Sequence, residues 1–294
     1  CGIIDAHFLA CGGLVSERLF VLFQYVMPKL ALTRLMGALA GLRAGGLTRG
    51  VIRGFIAKYQ VNMAEAANPN VAAYATFNAF FTRALKDGAR PLAKAELICT
   101  VDGAISQFGP IEKDQIYQAK GKSFSTTALL GGDAKLAEQF SNGLFATIYL
   151  SPKDYHRIHM PCRGRLLEMT YVPGELFSVN PATARGVDAL FARNERVVCV
   201  FENDKGQAFV QVLVGATIVG SMATVWHGVV NPPRSKSVWK KDYRDQQIIL
   251  EQGAEMGRFL LGSTVVLLFP ESDLDFNPDW QAARSVRLGE MMAD

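Results

Sequence analysis

The segment SPKDYHRIHMPCRG, Ser151 to Gly164, carries the densest set of reactive side chains in the sequence, including two of its four histidines. Because imidazole exchanges protons near neutral pH, His156 and His159 are candidates for acid or base catalysis. In a helical turn, their spacing of three would place both rings on one side. A metal site and a purely structural role are the alternatives, but no third ligand follows at a metal-binding spacing. We favour catalysis by at least one of the two.

A carboxylate at Asp102, in TVDGAIS, follows a strand-like run and precedes Gly103. An aspartate in front of a glycine often does no more than organise a turn. Its alternative role is to orient a histidine, since an acid that fixes the tautomer of a base allows that base to activate a hydroxyl group. The sequence leaves both roles open.

Two Gly-Ser pairs could supply that hydroxyl group. Ser263 lies in GRFLLGSTVVLLF, and Ser221 lies in TIVGSMATV. Ser263 is not part of a GxSxG nucleophile elbow, because Gly262 precedes it directly and Val265 stands where the second glycine would be. A glycine within a strand usually marks a bulge or a close backbone approach. From the residues alone, the two serines cannot be told apart.

The excess of positive over negative charge lies in the first 60 residues of the chain. Seven Lys and Arg side chains stand there against two acidic ones, an excess of five, whereas all 294 residues together carry a net charge of +4. From about 14 to 60, apolar residues recur every three or four positions with Arg and Lys between them, which predicts amphipathic helices. Such helices suit a membrane surface or an ordinary bundle, and the charge asymmetry favours an anionic membrane. No apolar segment reaches the length of a membrane-spanning helix.

The five cysteines are widely spaced and include no CxxC pair. This pattern indicates a reducing compartment and no structural zinc. Unpaired cysteines are among the most buried residues, so we expect Cys99, Cys162 and Cys199 to be small core residues.

Residues 97–231 consist mostly of short β-branched and aromatic runs broken by Gly, Pro, Asn and Asp, which predicts strands joined by turns. Helices are predicted at 74–85 and 125–140, and a long loop at 232–247. Because regular helical crossovers are missing, the pattern favours an antiparallel sandwich or barrel over a doubly wound sheet.

The predicted fold class is therefore α+β, with N-terminal amphipathic helices followed by a mostly antiparallel β-sandwich or barrel catalytic core with inserted helices. The predicted division is a helical membrane-association region, 1–66, and a catalytic domain, 67–294.

Taken together, eight blocks of the sequence resemble the phosphatidylserine decarboxylases of the bacterial and mitochondrial type, which have a Leu-Gly-Ser-Thr processing site. One LGST alone would be weak evidence, whereas eight blocks in register extend over about 23–269. The blocks are FQYVMPKLALTRLMG (23–37), FNAFFTRAL (77–85), VDGAISQFG (101–109), YLSPKDYHRIHMPCRG (149–164), YVPGELFSVN (171–180), LFARNERV (190–197), LVGATIVGSM (213–222) and EMGRFLLGSTVV (255–266).

The resemblance implies a proenzyme that cuts itself between Gly262 and Ser263, giving a β chain of 1–262 and an α chain of 263–294. Ser263 would become an N-terminal pyruvoyl group, the covalent cofactor. For the cut, Ser263 Oγ attacks the preceding carbonyl, His159 takes its proton, and Asp102 orients His159.

The resemblance also implies the reaction. The pyruvoyl carbonyl would form a Schiff base with the amine of phosphatidylserine and accept the electrons left by departing CO₂, so that phosphatidylethanolamine is formed. His156 is our candidate for holding the substrate carboxylate and for returning a proton to the carbanion. No metal ion is expected.

Since this substrate lies in a bilayer, the resemblance implies a peripheral protein on the cytoplasmic face of the cell membrane. The basic helices at 14–60 would hold it on anionic lipid. The α and β chains would stay together, a homodimer is expected, and no nucleic acid is expected as a partner.

Two other classes of function are compatible with parts of the pattern. A serine hydrolase or esterase would use Ser263 with His159 and Asp102, or Ser221 instead of Ser263, would leave the chain intact and would react with fluorophosphonates. A non-catalytic membrane-binding relative is disfavoured, because a dead copy would have had no reason to keep all the candidate site residues.

Overall fold

The computed structural model describes residues 14–218, 221–261 and 263–294. Within these ranges, three longer helices come first along the chain, a short helix precedes the first strand, and the later helices are short insertions between strands. The helices are α1 (Leu14–Val26), α2 (Lys29–Ala40), α3 (Gly46–Tyr59), α4 (Phe77–Phe81), α5 (Thr126–Leu129), α6 (Ala134–Glu138), α7 (Pro181–Gly186) and α8 (Leu190–Arg193).

Strands dominate the chain after residue 96. They are β1 (Leu97–Ile98), β2 (Gly103–Pro110), β3 (Gln115–Ala119), β4 (Lys122–Ser125), β5 (Leu144–Tyr149), β6 (Arg157–His159), β7 (Gly164–Val172), β8 (Arg196–Glu202), β9 (Ala208–Val214), β10 (Met222–Thr224), β11 (Gly228–Asn231), β12 (Trp239–Asp242), β13 (Ile249–Leu250), β14 (Glu255–Phe259), β15 (Thr264–Phe269), β16 (Ser285–Val286) and β17 (Met291–Ala293).

In the described part of the chain, these strands form a large sheet in the order β12-β7-β8-β9-β15-β5-β2-β16, with β13 beside β7, and a smaller sheet in the order β11-β10-β14-β6. The pairs β1-β17 and β3-β4 lie outside both sheets. All of these strand pairings are antiparallel. The prediction of an α+β fold with N-terminal helices and antiparallel sheets is confirmed. The order of the large sheet does not return to its first strand, so the described strands close no barrel.

Strand β15 runs through the middle of the large sheet, between β5 and β9. All six of its residues are buried, as expected for the apolar run VVLLF in a strand covered on both faces. Its register pairs Thr264 with Tyr149 on one side and with Val214 on the other. The buried strand therefore fixes the position of Ser263, which directly precedes it.

The smaller sheet carries a candidate histidine and leads into β15. Strand β14 pairs with β6, which places Glu255 opposite His159, and with β10, which places Phe259 opposite Met222. Only residues 260–263 connect β14 to β15. This short connection keeps one end of the smaller sheet next to the end of the large sheet at which β15 begins.

The helix predicted at 74–85 is shorter than expected. Thr76 caps α4 by accepting a hydrogen bond from Ala79 N at 3.0 Å, but the helix ends at Phe81. Beyond it, Leu85 forms an antiparallel bridge with Ala66, so pairing with a distant segment overrides the local helical pattern. The insertion predicted at 125–140 is present as α5 and α6.

The segment predicted as a loop at 232–247 contains a strand. Strand β12 pairs with β7 at the edge of the large sheet, with Trp239 opposite Tyr171 and their rings stacked at 5.8 Å. Its lysines are exposed, as is usual for an edge strand, because charged side chains prevent further pairing. The absence of an apolar pattern therefore reflects the edge position of the strand.

The three N-terminal helices bury both polar and apolar side chains against the protein, Val21 of α1 and Ile52 of α3 among the apolar ones, and they also expose many large apolar side chains. Gln24 of α1 is buried, donates to Thr183 Oγ1 at 3.0 Å and accepts from Ser178 N at 2.8 Å. Thr33 of α2 is buried and accepts a hydrogen bond from Ile218 N at 3.0 Å. The exposed large apolar side chains of α1 to α3 are Leu19, Leu22, Phe23, Tyr25, Val26, Leu30, Leu35, Leu39, Leu47 and Val51.

Among the described helices, none is by itself long and apolar enough to cross a membrane. The pair Glu17–Val26 and Lys29–Ala40 meets the criterion jointly, by length and composition alone, and is bent by 86° at the break between its helices.

Candidate active site

Ser263 and Asp102 lie at the same end of the large sheet. Thr264 pairs with Tyr149 of β5, and Tyr149 also pairs with Ala104 of β2, so the residues that precede β15 and β2 lie on the two sides of β5. Since neighbouring strands are about 4.8 Å apart, the two backbones are about 10 Å apart across the sheet. The fold thus brings together two candidates that are 161 positions apart in the sequence.

Ser263 is enclosed by the ends of the neighbouring strands. It is 1% exposed, its carbonyl oxygen accepts a hydrogen bond from Leu150 N at 2.9 Å, and its hydroxyl group donates to the carbonyl of Val214. The hydroxyl is therefore held in one position and protected from water. Gly262, the residue on the other side of the predicted cut, lies outside the described residues.

The other candidate hydroxyl group, that of Ser221, is also buried but belongs to a different network. It donates to the carbonyl of Asn231, and Asn231 Oδ1 accepts from Met222 N at 2.8 Å. The Asn231 amide in turn donates to the buried carboxylate of Glu195. These contacts hold β10 against β11, which is a structural use of the hydroxyl.

His159 ends strand β6 and is attached to the segment that leads to Asp102, because its backbone N–H donates to Thr100 O at 2.9 Å. Its Nδ1 lies 2.8 Å from the carbonyl oxygen of Gly253, and its Nε2 lies 3.1 Å from the hydroxyl group of Tyr155. A carbonyl oxygen can only accept, so Nδ1 carries the proton and Nε2 is the basic nitrogen. Burial lowers the pKa of His159, which favours the neutral ring.

His156 is fully buried in a different environment. Its Nδ1 donates to Asp154 O at 2.8 Å, its ring lies 4.1 Å from the ring of Phe81, and its Nε2 has no hydrogen-bond partner among the described residues. Burial lowers its pKa to about 3, although the bond to Asp154 acts in the opposite direction. The ring is therefore neutral at pH 7, with its lone pair on Nε2.

The two histidines do not share a helical turn. His159 lies in a strand, and His156 precedes that strand, so the expectation that both rings point to one side is wrong. In extended chain, residues three apart lie on opposite sides. Accordingly, the His156 ring packs against Phe81, whereas the His159 ring packs against Tyr155 at 5.6 Å.

The carboxylate of Asp102 is engaged by other groups. Arg90 binds both of its oxygens, with Nε 2.9 Å from Oδ1 and Nη2 2.5 Å from Oδ2, and Leu288 N donates to Oδ1 at 2.9 Å. Since both ring nitrogens of His159 are also occupied, the hydrogen bond predicted between Asp102 and His159 is not formed in this structure. Burial lowers the pKa of His159, and the negative charge of Asp102 acts through space in the opposite direction and offsets a small part of that lowering. Its role in orienting the base stays a prediction.

The sequence did not single out Tyr155, Gly253 or Arg83. Tyr155 lies within the reactive segment, four residues before His159. Of the three residues, it is the one whose position in the sequence could have suggested a role in the site. Gly253 has a φ of +77°, and a side chain there would contact Leu92, which explains why this position needs glycine. Arg83 lies within the block 77–85, but its contact with Lys153 O, at 3.3 Å, joins segments far apart in the sequence.

No group of three or more His, Cys, Asp or Glu side chains that could hold a metal ion occurs within 14–218, 221–261 and 263–294. The described cysteines Cys99, Cys162 and Cys199 are free thiols, and burial raises the pKa of each. These thiols are therefore protonated at neutral pH. Cys99 and Cys199 are buried, as predicted, whereas Cys162 is only partly buried against the core.

Comparison with known proteins yields matches along almost the whole chain. A family model described as phosphatidylserine decarboxylase matches residues 77–294, and a model described as PSD matches 19–60. A protein of Chromobacterium violaceum named phosphatidylserine decarboxylase proenzyme is 70% identical over 279 residues, which cover 95% of this chain and 100% of the relative. Proteins of the same name from Dechloromonas aromatica and Polaromonas naphthalenivorans are 66% and 68% identical, each over 95% of this chain and 98% of the relative.

Proposed function

The chain belongs to the phosphatidylserine decarboxylase family and is a carboxy-lyase, and on this premise we propose that it is a self-processing, pyruvoyl-dependent enzyme. It would cut its backbone between Gly262 and Ser263 and convert phosphatidylserine to phosphatidylethanolamine and CO₂. The observation that carries the proposal is the buried Ser263, held before a central strand at the sheet end that also carries Asp102 and adjoins His159.

A pyruvoyl group in place of Ser263 fits this site. The position is almost fully buried, so a keto acid there would be protected from water. The bond from Leu150 N to the carbonyl of residue 263 does not involve the backbone bond that is cut, so it can hold the new chain end. Two buried polar atoms have no hydrogen-bond partner among the described residues: Oγ1 of Thr264, the residue after Ser263, and Nε2 of the candidate His156. Both are available to hydrogen-bond the pyruvoyl group or the substrate.

The proposed cut begins at the hydroxyl group of Ser263. Its oxygen attacks the carbonyl carbon of residue 262, the amide C–N bond breaks, and an ester forms while the nitrogen becomes an amine. Loss of the α-proton of residue 263 then breaks the ester C–O bond and releases the carboxylate of the β chain. Addition of water to the remaining unsaturated residue releases ammonia and leaves the keto acid.

His159 is the proposed base for the first step. Its basic nitrogen, Nε2, accepts a hydrogen bond from Tyr155, while the Ser263 hydroxyl donates to the carbonyl of Val214. Before the proton moves, the Tyr155–His159 and Ser263–Val214 hydrogen bonds must break, and the Ser263 hydroxyl must donate to His159 Nε2 instead. The bond to Gly253 O can persist during that exchange and keeps the proton on Nδ1.

We expect Tyr155→Phe to shift the pH dependence of self-cleavage. The Tyr155 hydroxyl stabilises the neutral ring of His159, so its loss raises the pKa of that ring. A base works when neutral, and therefore the acid limb of the rate profile, which lies below the ordinary histidine value in the wild type, moves upward. The loss of one hydrogen bond of about 1 kcal/mol should move the acid limb upward by somewhat less than one pH unit.

The measurement uses precursor made by cell-free synthesis and transferred to buffers of different pH, with the two fragments quantified over time. Tyr243→Phe is the matched control, because the Tyr243 hydroxyl group lies 3.0 Å from Nδ1 of His227, outside the site. An acid limb that stays at the wild-type pH in Tyr155→Phe would contradict the assigned role of the hydroxyl.

When present, the pyruvoyl group supplies the carbonyl that condenses with the substrate amine and the electron sink for decarboxylation. The proposed role of His156 is to hold the carboxylate and move the proton. A carboxylate beside Nε2 would raise the pKa of His156, so the ring would gain a proton as the substrate binds. Departure of CO₂ removes that negative charge, the pKa falls again, and Nε2 gives its proton to the substrate carbon.

We further propose that helices α1 to α3 bind the cytoplasmic face of the cell membrane. Their inward side is already packed on the protein through buried residues, among them Gln24, Thr33 and Ile52, so the exposed leucines on their outer side are not needed for packing within this chain. Arg and Lys side chains on the same helices would attract anionic lipids. The homodimer and the division of the chain at residue 66 stay predictions.

Replacing Leu35 and Leu39 of α2 by glutamate should weaken binding to vesicles by about tenfold or more, since each exposed leucine would otherwise bury apolar surface in the lipid. These side chains are 57% and 49% exposed. Cosedimentation with vesicles of phosphatidylcholine and phosphatidylglycerol measures the effect.

The control is Val225→Glu with Val229→Glu, which changes two similarly exposed apolar side chains, 50% and 51%, of the smaller sheet region. Equal loss of binding in the control, or unchanged binding in the leucine variant, would count against a specific role of α2.

Intact-mass measurement of the purified protein tests the proposed function directly. Two fragments divided at 262/263, the smaller one beginning with a keto acid, and release of CO₂ from phosphatidylserine are expected. A single chain that reacts with a fluorophosphonate at Ser263 would instead support the serine hydrolase.

A further inference from the structure

Arg83 is a buried cation that has no anionic partner among the described residues. The residue is 5% exposed, and its Nε has no hydrogen-bond partner in the described part of the chain. Its Nη2 donates to the carbonyl oxygen of Lys153 at 3.3 Å, and its guanidinium lies 5.4 Å from the ring centroid of Phe80. A buried charge is costly unless it is paired, so an unpaired one indicates a missing partner.

The other buried arginine of the core shows how such a side chain is normally satisfied. Arg196 is 3% exposed and donates to four carbonyl oxygens, those of Ala128, Leu129, Ala192 and Asn194. Each of its three nitrogens therefore has an acceptor in the protein. Arg83 keeps a donor unused at a comparable depth.

Three contacts bring Arg83 to the side of His156. Phe81 packs on the His156 ring at 4.1 Å, Arg157 Nε donates to Thr82 O at 2.9 Å, and Arg83 donates to Lys153 O. The segment 81–83 is thereby fastened to the turn 153–157. At this junction, Nε of Arg83 is a donor without an acceptor, and Nε2 of His156 is a polar atom without a partner.

We propose that Arg83 and His156 form a subsite for an oxyanion of the lipid headgroup, a proposal that rests on the decarboxylase function. The planar guanidinium would bind the oxyanion, and the bound charge would allow Nε2 of His156 to take up a proton and donate to it. While the subsite is empty, burial keeps His156 neutral, and the positive charge of Arg83 acts in the same direction by lowering the pKa of the ring. Arg83 thus supplies the fixed charge, and His156 supplies the mobile proton.

The position of the subsite suits a lipid. The ring of Phe55 in α3 lies 5.1 Å from Phe77 and 6.1 Å from Phe81, so an aromatic cluster connects the N-terminal helices to His156. The headgroup would lie on the core side of this cluster, and the acyl chains would lie on the side of the exposed leucines.

Arg83→Gln tests the subsite. The variant should cut itself like the wild type, since Arg83 contacts neither Ser263 nor His159, but its KM for phosphatidylserine in mixed micelles should rise by about tenfold or more. Arg83→Lys keeps the charge without the planar donors and should give an intermediate KM. Arg165→Gln, which removes a partly exposed partner of Glu202, is the matched control and should leave KM unchanged.

Inhibition by phosphatidylethanolamine identifies the oxyanion, because this product has the phosphate but lacks the carboxylate. If Arg83 binds the phosphate, inhibition weakens in Arg83→Gln by the same factor as KM rises. If it binds the carboxylate, inhibition is unchanged while KM rises. Either result supports the subsite.

A processed Arg83→Gln enzyme with the wild-type KM would overturn the proposal, as would failure of both Arg83 variants to cut themselves, since Arg83 would then serve the fold or the cut. A wild-type protein that neither cuts itself nor releases CO₂ would instead overturn the proposed function.

Discussion

Ser263→Ala is expected to yield one uncut chain that releases no CO₂ from phosphatidylserine, a loss of more than about a thousandfold. Two effects combine, because the hydroxyl group is both the nucleophile of the cut and the source of the cofactor. The fold should survive, since the substitution removes one hydrogen bond, to Val214 O, from a position fixed by the buried strand β15.

Intact mass and CO₂ release are the measurements, and Ser221→Ala is the matched control. Ser221 is the other Gly-Ser serine, is also buried, and its hydroxyl group donates to Asn231 O. The control should be cut and active, with a loss of about 1 kcal/mol in the free energy of unfolding. Cleavage of Ser263→Ala at the same bond would refute the assignment of the nucleophile, and loss of cleavage only in Ser221→Ala would transfer it to Ser221.

His156→Ala is expected to cut itself at the normal position but to decarboxylate about 10²- to 10⁴-fold more slowly, the contribution of a positioned acid. His156 contacts Phe81 and Asp154, whereas the proposed base of the cut is His159. Loss of the buried ring leaves a cavity and should lower the free energy of unfolding by a few kcal/mol. The cut itself reports that the variant has folded.

Fragment mass and single-turnover CO₂ release separate the two steps. The matched control is His227→Ala, which removes a histidine from the opposite part of the smaller sheet, where it lies beside Tyr243 and Trp239. We expect the control to be cut and fully active. Wild-type turnover in His156→Ala would exclude the proton-donor role, and an uncut His156→Ala chain would show that the two histidines do not divide the work as proposed.

The sequence predicted the candidates that depend on local pattern. The apolar run after Ser263 predicts a buried strand, and the short β-branched and aromatic runs after residue 96 predict antiparallel sheets. Patterns of this kind report burial along one segment, and they hold because burial decides the position of β15.

The partners of the site residues could not be predicted in the same way. Tyr155 and Gly253 meet at His159, and Arg90 meets Asp102, through contacts between segments that only the fold brings together. The helix at 74–85 was overpredicted for a similar reason, because the bridge between Ala66 and Leu85 is invisible to local propensity. Strand β12 was missed because its exposed edge position leaves no apolar pattern.

The position of β15 has a consequence for the life of the protein after the proposed cut. Strands β15, β16 and β17 all belong to the shorter chain, and within the described residues each pairs with strands of the longer one. Before the cut, folding is a unimolecular event whose rate does not depend on concentration. After the cut, refolding from denaturant requires the two separate chains to associate, so the yield of refolded protein should fall on dilution. Only the uncut precursor can therefore fold without a second chain.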